Sequence, residues 1–371
     1  MMPTLEQAGL SISAPYHFGS AMQAAILYGK EDVRLEEVPV PAVGRGELLV
    51  RVRTALTCGT DVKVYRRGYH ARMIQPPALF GHELAGDVVA LGEDVTAFRI
   101  GDRVVAANSA PCEECFFCRH NQPNLCEDLL FNNGAYAEFI RLPERIVRKN
   151  TYPIPEDVSY VDAALVEPIA CALRGLDETG VQPGDTVAVM GLGPIGLMFV
   201  RLAKRAYGAR VLAIARRIEQ VDRAMLLGAD EGILTSKSIE LNNDAALISE
   251  VRARTGGRGA DVVIEAIGRP ESWELATLLV RKGGLINFFG GCPTGTKVGL
   301  DTTLLHYSEI TCKASFHHTP AHIRRALELV AAGRVNATHF VNHEQPLSEL
   351  PQVLHDLAHH RNGHIKTAII P

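Results

Sequence analysis

The sequence has little that would suit a membrane, a nucleic acid or an oxidising exterior. No apolar run approaches the about 18 residues of a membrane span. Neither sign of charge dominates: 38 Lys and Arg against 42 Asp and Glu leave −4 with histidine neutral, which gives no general attraction for polyanions or acidic lipid. The first 29 residues contain no Lys or Arg and no continuous apolar core, which argues against a secretory signal. There is no internal repeat and no low-complexity tract. Transporter, DNA-binding regulator and secreted scaffold are therefore disfavoured. The cytoplasm is the expected location.

What is present is ordinary globular material. The 371 residues are 47% apolar and 22% charged, enough for two domains at about 100–200 residues each. Residues 1–21 carry Pro3, Gly9, Pro15 and Gly19 without periodicity and read as an N-terminal extension. From Met22 to about residue 110 the pattern is β, with Leu49–Arg53 alternating in and out and further runs at Leu84–Leu91 and Arg103–Ala107. This predicts a partly open β-barrel. The middle of the chain changes character: short apolar runs at Thr186–Met190, Val211–Ala215, Val262–Ala266 and Leu285–Phe289 alternate with helix-like stretches. That alternation predicts an α/β domain with a doubly wound parallel sheet. An amphipathic helix over Ala321–Ala332 and a tail ending Lys366-Thr-Ala-Ile-Ile read as a return to the first domain. The expected division is 22–172 with 317–371 for the barrel domain and 173–316 for the parallel-sheet domain.

Three constellations carry chemistry. The first is Gly191-Leu-Gly193-Pro194-Ile195-Gly196, which follows a strand and opens a helix, the setting in which G-x-G-x-x-G binds a dinucleotide. Gly191 permits the tight turn, Gly193 lets backbone approach a pyrophosphate, and Gly196 lets helix and strand pack closely. The next strand ends in Ala215 where an NAD-selective site offers Asp or Glu, and Arg216 and Arg217 follow. A carboxylate there repels a 2′-phosphate, whereas guanidiniums bind it, so NADP is expected and NAD is the second candidate. The competing reading takes both arginines as solvated surface charge. Phe289 and Gly290, at the end of the run Leu285–Phe289, join the candidate cofactor set.

The second constellation is Cys112-x-x-Cys115-x-x-Cys118-x(7)-Cys126. Four of the eight cysteines within fifteen residues, in a chain neither small nor secreted, point to metal rather than disulfides. This spacing wraps one tetrahedral Zn²⁺ and leaves no open position, hence a structural role. An iron–sulfur cluster is the alternative. The third set is dispersed: Cys58 with Thr60 and Asp61, His82-Glu83 and Glu167-Pro168. One thiolate, one imidazole and one or two carboxylates suit an open, catalytic zinc site. Taken singly, Cys58 and His82 also read as core residues, and Glu167 as a helix-start acid.

Together these pieces resemble the zinc-dependent medium-chain alcohol dehydrogenases, particularly the sorbitol (iditol) and threonine dehydrogenase branch, from Met22 onward. The most specific stretch is Gly81-His82-Glu83-x-x-Gly86-x(5)-Gly92-x-x-Val95, followed in the family's order by Gly101-Asp102-Arg103-Val104, the cysteine lobe, Glu167-Pro168 and the glycine motif. The resemblance implies a GroES-like catalytic domain, a Rossmann domain with a cleft between them, and two zinc ions per chain. It implies Cys58, His82 and Glu83 or Glu167 as catalytic zinc ligands, Asp61 as the acid that orients the ligating histidine, and Thr60 as the hydroxyl that passes on the substrate's proton. It further implies a small-molecule alcohol or ketone as partner and a homo-oligomer, dimer or tetramer.

The chain departs from the family pattern in places. Ala215 replaces the usual acid. Lys63 stands where many relatives carry a proton-relay histidine. His317-His318 replace the Arg-Tyr pair of mammalian sorbitol dehydrogenases, and the Arg-Glu-Met segment of threonine dehydrogenases is absent. His306, Tyr307, His317 and His318 are candidates to line a polar substrate's site, or else surface residues. The expected reaction is oxidoreduction of a polyol or cyclitol, with an amino alcohol such as threonine second and a simple secondary alcohol third. A zinc-free quinone reductase and a non-catalytic NADPH-binding relic are the remaining alternatives.

Overall fold

The computed structural model describes residues 19–70, 72–235, 244–359 and 365–371. Residues 1–18, most of the expected extension, lie outside them; the first strand, Ala21–Gly29, opens one residue ahead of the expected break. The chain forms two units, one running to Glu167 and resuming at Thr319–Pro371, the other spanning Pro168–His318.

The first unit is mainly β. Its larger sheet orders Thr151–Pro153, Arg103–Ala106, Glu83–Leu91, Leu48–Leu56, Lys366–Ile370 and Val341–Pro346, with Phe139–Leu142 paired to Leu48–Leu56 as well. A three-stranded sheet places Ala21–Gly29 between Asp32–Pro39 and Ala78–Leu79. Leu48–Leu56 and Glu83–Leu91 pair antiparallel over nearly their whole length. Both are buried almost throughout rather than on alternate residues, because they lie in the middle of the sheet. The C-terminal strand Lys366–Ile370 pairs antiparallel with Leu48–Leu56 and parallel with Val341–Pro346.

One helix, Gly59–Arg67, interrupts the stretch expected to be β throughout. Its start is local chemistry: the Cys58 side chain accepts from the Thr60 N–H, and the Asp61 carboxylate accepts from the Cys58 N–H at 3.0 Å, a reciprocal cap. The C-terminus closes on Gly68 in the left-handed conformation. So the two residues that stop the preceding strand are also two of the candidate site residues.

The second unit is a six-stranded, fully parallel sheet ordered Glu231–Leu234, Arg210–Ala215, Thr186–Met190, Ala260–Glu265, Val280–Phe288, Thr311–Ala314. Numbered along the chain within this sheet, that order is 3-2-1-4-5-6, the doubly wound dinucleotide-binding order. The four central strands match the apolar runs of the sequence to within a few residues, the largest shift being the earlier start of Val280–Phe288. The two edge strands had no such run. Glu231–Leu234 is half-buried and Thr311–Ala314 exposed at every residue, so neither carries the continuous apolar signature of a covered strand. Among the described residues no helix is long and apolar enough to cross a membrane.

Candidate active site and metal centres

The sharp turn from strand to helix at Cys58 has a counterpart at Gly81-His82-Glu83. Gly81 has φ +87°, and a Cβ there would lie 2.5 Å from the Tyr136 ring, so only glycine fits. That turn delivers His82, 4% exposed, and Glu83, fully buried, at the start of their strand. Ligand atoms of Cys58, His82 and Glu83 all lie within 4.8 Å of one another.

The supporting groups fix the imidazole. His82 Nδ1 meets Asp61 Oδ1 at 3.0 Å, leaving Nε2 as the nitrogen free to ligate. Asp61, itself buried, accepts the Tyr136 hydroxyl at 2.6 Å; that hydroxyl also lies 3.1 Å from the Leu56 carbonyl. Burial would push the His82 imidazole down, but the Asp61 carboxylate and the Cys58 thiol group outweigh it and hold the pKa well above the ordinary value. Burial would likewise raise Asp61, yet His82, Tyr136 and the Cys58 N–H keep its carboxyl below the usual range. A carboxylate and a cysteine sulfur thus converge on one buried ring. A metal cation is the charge that such a donor set accommodates, and soft thiolate with imidazole and carboxylate suits zinc.

Glu83 has a partner that sequence reasoning missed. Lys366, 1% exposed, places Nζ 2.9 Å from Glu83 Oε1, 2.6 Å from Oε2 and 2.6 Å from the Thr57 carbonyl. Burial pushes the Glu83 carboxyl up to about 7, opposed by Lys366 and reinforced by Glu167. Thr57 locks the C-terminal strand in turn, since its hydroxyl accepts from the Thr367 N–H at 2.9 Å. A signal was available in Lys366-Thr-Ala-Ile-Ile: a lysine opening an apolar strand that is buried almost to its end must be paired. Tyr136 was missed too, and nothing in its local sequence marks it. Glu167 is 7% exposed and near enough to act on Glu83, but it does not join the group of three ligand atoms. Thr60 is half-buried on the first helical turn, and Lys63 is exposed one turn on.

The cysteine lobe brings all four sulfurs within 4.8 Å of one another. Cys112 and Cys126 Sγ are 3.4 Å apart, Cys115 and Cys126 3.9 Å, and Cys112 and Cys118 4.0 Å. A tetrahedron of about 2.3 Å zinc–sulfur bonds has edges of about 3.8 Å, so the donor set fits one closed ion. Two cations of the helix Glu144–Asn150, one turn apart, hold the lobe's ends: Arg145 donates to the Asp128 carbonyl at 2.8 Å and carboxylate at 2.7 Å, and Lys149 pairs with Glu113. Replacing Cys115 by Ser should leave about one zinc per chain fewer by metal analysis and lower the thermal midpoint. A variant keeping both ions would remove Cys115 from the structural set.

In the second unit a cavity of about 190 Å³ is lined by Gly191, Gly193, Ala215, Arg216, Ile267 and Arg269 among others. Gly191 has φ +90°, and a Cβ on Gly196 would lie 1.8 Å from the Gly191 carbonyl, the close approach expected of that glycine. Pro194 and Ile195 open the helix Pro194–Arg205. Neither they nor Gly196, Arg217, Phe289 and Gly290 are among the residues lining the cavity. Arg217 sits at the N-cap of Ile218–Leu226, and Phe289 packs edge-on against Phe199 with centroids 4.9 Å apart. Arg269 and Gln220 line the cavity without having been anticipated. Of the substrate-lining candidates, Tyr307 is 77% exposed, His318 is buried, and His317 adopts φ +67°.

Comparison with known proteins agrees with this arrangement. Residues 44–156 match the family model of the alcohol dehydrogenase GroES-like domain, and 194–332 that of the zinc-binding dehydrogenases. Sorbitol dehydrogenase of Bacillus subtilis (strain 168) is 30% identical over 94% of this chain and 97% of its own. L-threonine 3-dehydrogenase of Bacillus licheniformis is 34% identical over 70% and 73%. A Sinorhizobium meliloti 1021 protein assigned as a zinc-binding dehydrogenase and solved bound to NADP superposes with TM-score 0.84 at 30% identity, covering 95% of this chain and all of that one. A cluster of three candidate metal ligands, a four-thiol lobe, a doubly wound sheet and these matches place the chain in the zinc-dependent medium-chain alcohol dehydrogenases, as an alcohol or polyol oxidoreductase of the sorbitol and threonine dehydrogenase branch.

Proposed function

We propose that the enzyme interconverts a secondary alcohol, a polyol or cyclitol foremost, and its ketone, with NADP as hydride partner. The observation that carries the cofactor choice is Ala215 with Arg216 on the wall of the nucleotide cavity, where none of the described lining residues is a carboxylate that would reject a 2′-phosphate. The NADP in the Sinorhizobium meliloti relative supports it. The polyol preference leans on the sorbitol dehydrogenase of Bacillus subtilis; the L-threonine 3-dehydrogenase match favours an amino alcohol as the second reading. The oligomers usual in the family support a homo-oligomer.

Cys58, His82 and a carboxylate from Glu83 or Glu167 would hold the catalytic zinc, which when bound supplies the Lewis acidity that makes a hydroxyl acidic near neutral pH. The chain's own groups do the rest. Asp61 fixes the ring of His82 through Nδ1, and Tyr136 fixes Asp61. Lys366 holds the Glu83 carboxylate in place and compensates its charge. Thr60, on the first turn after Cys58, offers the hydroxyl that receives the substrate's proton. Because exposed Lys63 stands where many relatives carry a relay histidine, the proton's onward path differs from theirs or runs through water.

The test is the initial rate on polyols, cyclitols, L-threonine and simple secondary alcohols, each with NADP⁺ and NAD⁺, in protein holding about two zinc ions per chain. Fastest turnover of a polyol or cyclitol with NADP⁺ is the expected result. L-threonine as best substrate would install the second reading, and a clear NAD⁺ preference would sink the cofactor choice.

A further inference from the structure

Glu265 ends the strand Ala260–Glu265 and is fully buried, yet no metal ligand or sequence motif accounts for it. Its Oε1 accepts the N–H groups of Ile267 at 2.8 Å and Gly268 at 2.9 Å, and the Ser272 hydroxyl at 2.7 Å. Its backbone carbonyl accepts the N–H groups of Phe289 at 3.0 Å and Gly290 at 2.8 Å. One residue therefore satisfies four backbone donors drawn from two separate loops. The first of those loops supplies Ala266, Ile267 and Arg269 to the wall of the nucleotide cavity.

The surroundings leave this arrangement no slack. A Cβ on Gly290 would come within 2.4 Å of the Gly268 nitrogen and 2.7 Å of Glu265 Oε2, and one on Gly268 within 2.7 Å of the Gly291 carbonyl. Gly290 is thus glycine because the two loops are clasped together. Ser272 lies in the first turn of the helix Pro270–Leu279, so the carboxylate also sits at that helix's positive end. Trp273, the chain's single tryptophan, adds a bond from Nε1 to the Gly290 carbonyl at 3.0 Å and stacks on Phe288 at 4.1 Å.

We infer that Glu265 is a positioning residue for dinucleotide binding: its carboxylate holds the 266–269 loop and the start of the next helix against the 289–290 loop, which its backbone carbonyl fixes, so that the cavity wall is formed before the cofactor arrives. The energetic logic is preorganisation, in which ordering already present in the free protein is not charged against binding. This inference rests on the reading that the cavity takes a dinucleotide. It is indifferent to the 2′-phosphate, because the clasp acts through backbone shared by NADP and NAD.

The experiment measures NADP⁺ and NAD⁺ affinity by calorimetry on the zinc-loaded enzyme. Glu265→Ala should weaken both cofactors about tenfold, the equivalent of one lost hydrogen-bonded group. Glu265→Gln keeps an acceptor oxygen for Ile267 and Gly268 and should recover most of that loss. In steady state the damage should appear in the cofactor KM more than in kcat. Wild-type affinity for both cofactors in Glu265→Ala would overturn the inference, as would a Gln variant no better than Ala. If the Ala variant does not fold, Ser272→Ala decides: a roughly two- to threefold loss for both cofactors supports the clasp, and no loss overturns it. Replacing Arg216 and Arg217 separates the two readings, because its effect belongs to NADP alone. An arginine variant that spares NADP, beside a Glu265 variant that loses both cofactors, would end the NADP assignment and leave the clasp standing.

Discussion

Cys58→Ser should lower turnover by about a thousandfold or more while the protein stays folded. The loss follows from the several kcal/mol of charge stabilisation that a catalytic metal provides, at about 1.4 kcal/mol per tenfold. The retained fold follows from the local geometry. Cys58 caps the helix Gly59–Arg67 by accepting the Thr60 N–H, and serine is among the favoured residues at that position. Serine keeps the cap and removes the soft sulfur donor. Thermal unfolding, circular dichroism and metal analysis check this jointly: a wild-type melting curve, about one zinc per chain fewer, and no turnover. Substantial activity in a variant lacking that ion would remove Cys58 from the catalytic centre.

The second large effect concerns selectivity. Replacing Arg216 and Arg217 together with Ala should weaken NADP about tenfold to a hundredfold and leave NAD nearly unchanged, since a charge-assisted bond to a phosphate contributes about 1.5–3 kcal/mol. The two arginines should not share the loss equally. Arg216 lines the cavity, whereas Arg217 stands at the N-cap position of the next helix and does not. Both are exposed, so the selectivity should also fall as ionic strength rises. Kinetic constants for both cofactors at two salt concentrations measure this. Equal losses for NADP and NAD would assign the arginines to general structure.

The parallel sheet was legible because its four central strands are largely covered on both faces and therefore announce themselves as short, mainly apolar runs. Its edge strands were not, since Thr311–Ala314 buries nothing. The same division holds at the sites. Cys112 to Cys126 and the glycine motif are chemistry carried within a dozen or so residues, where spacing alone speaks. Glu83 and Lys366 stand 283 positions apart and meet only because two distant strands flank Leu48–Leu56, so their pairing belongs to topology. Tyr136, which steadies Asp61 across 75 positions, is hidden for the same reason. Glu265 is a third kind of case: its partners are close in sequence, but a buried glutamate ending a strand looks like any polar residue where a strand meets a loop.

The pairing of Lys366 with Thr57 and Glu83 also orders events during synthesis. The unit spanning Pro168–His318 is continuous, so it can fold as soon as it has left the ribosome. The earlier unit stays incomplete: the end of its central strand at Ala55 and Leu56 lacks a partner on one side, and its buried glutamate lacks the Lys366 counter-charge, until residues 366–370 have been made. The part translated first is completed last. During that interval an open sheet edge faces the crowded cell, and the burden of keeping this enzyme soluble falls on whatever shields nascent chains.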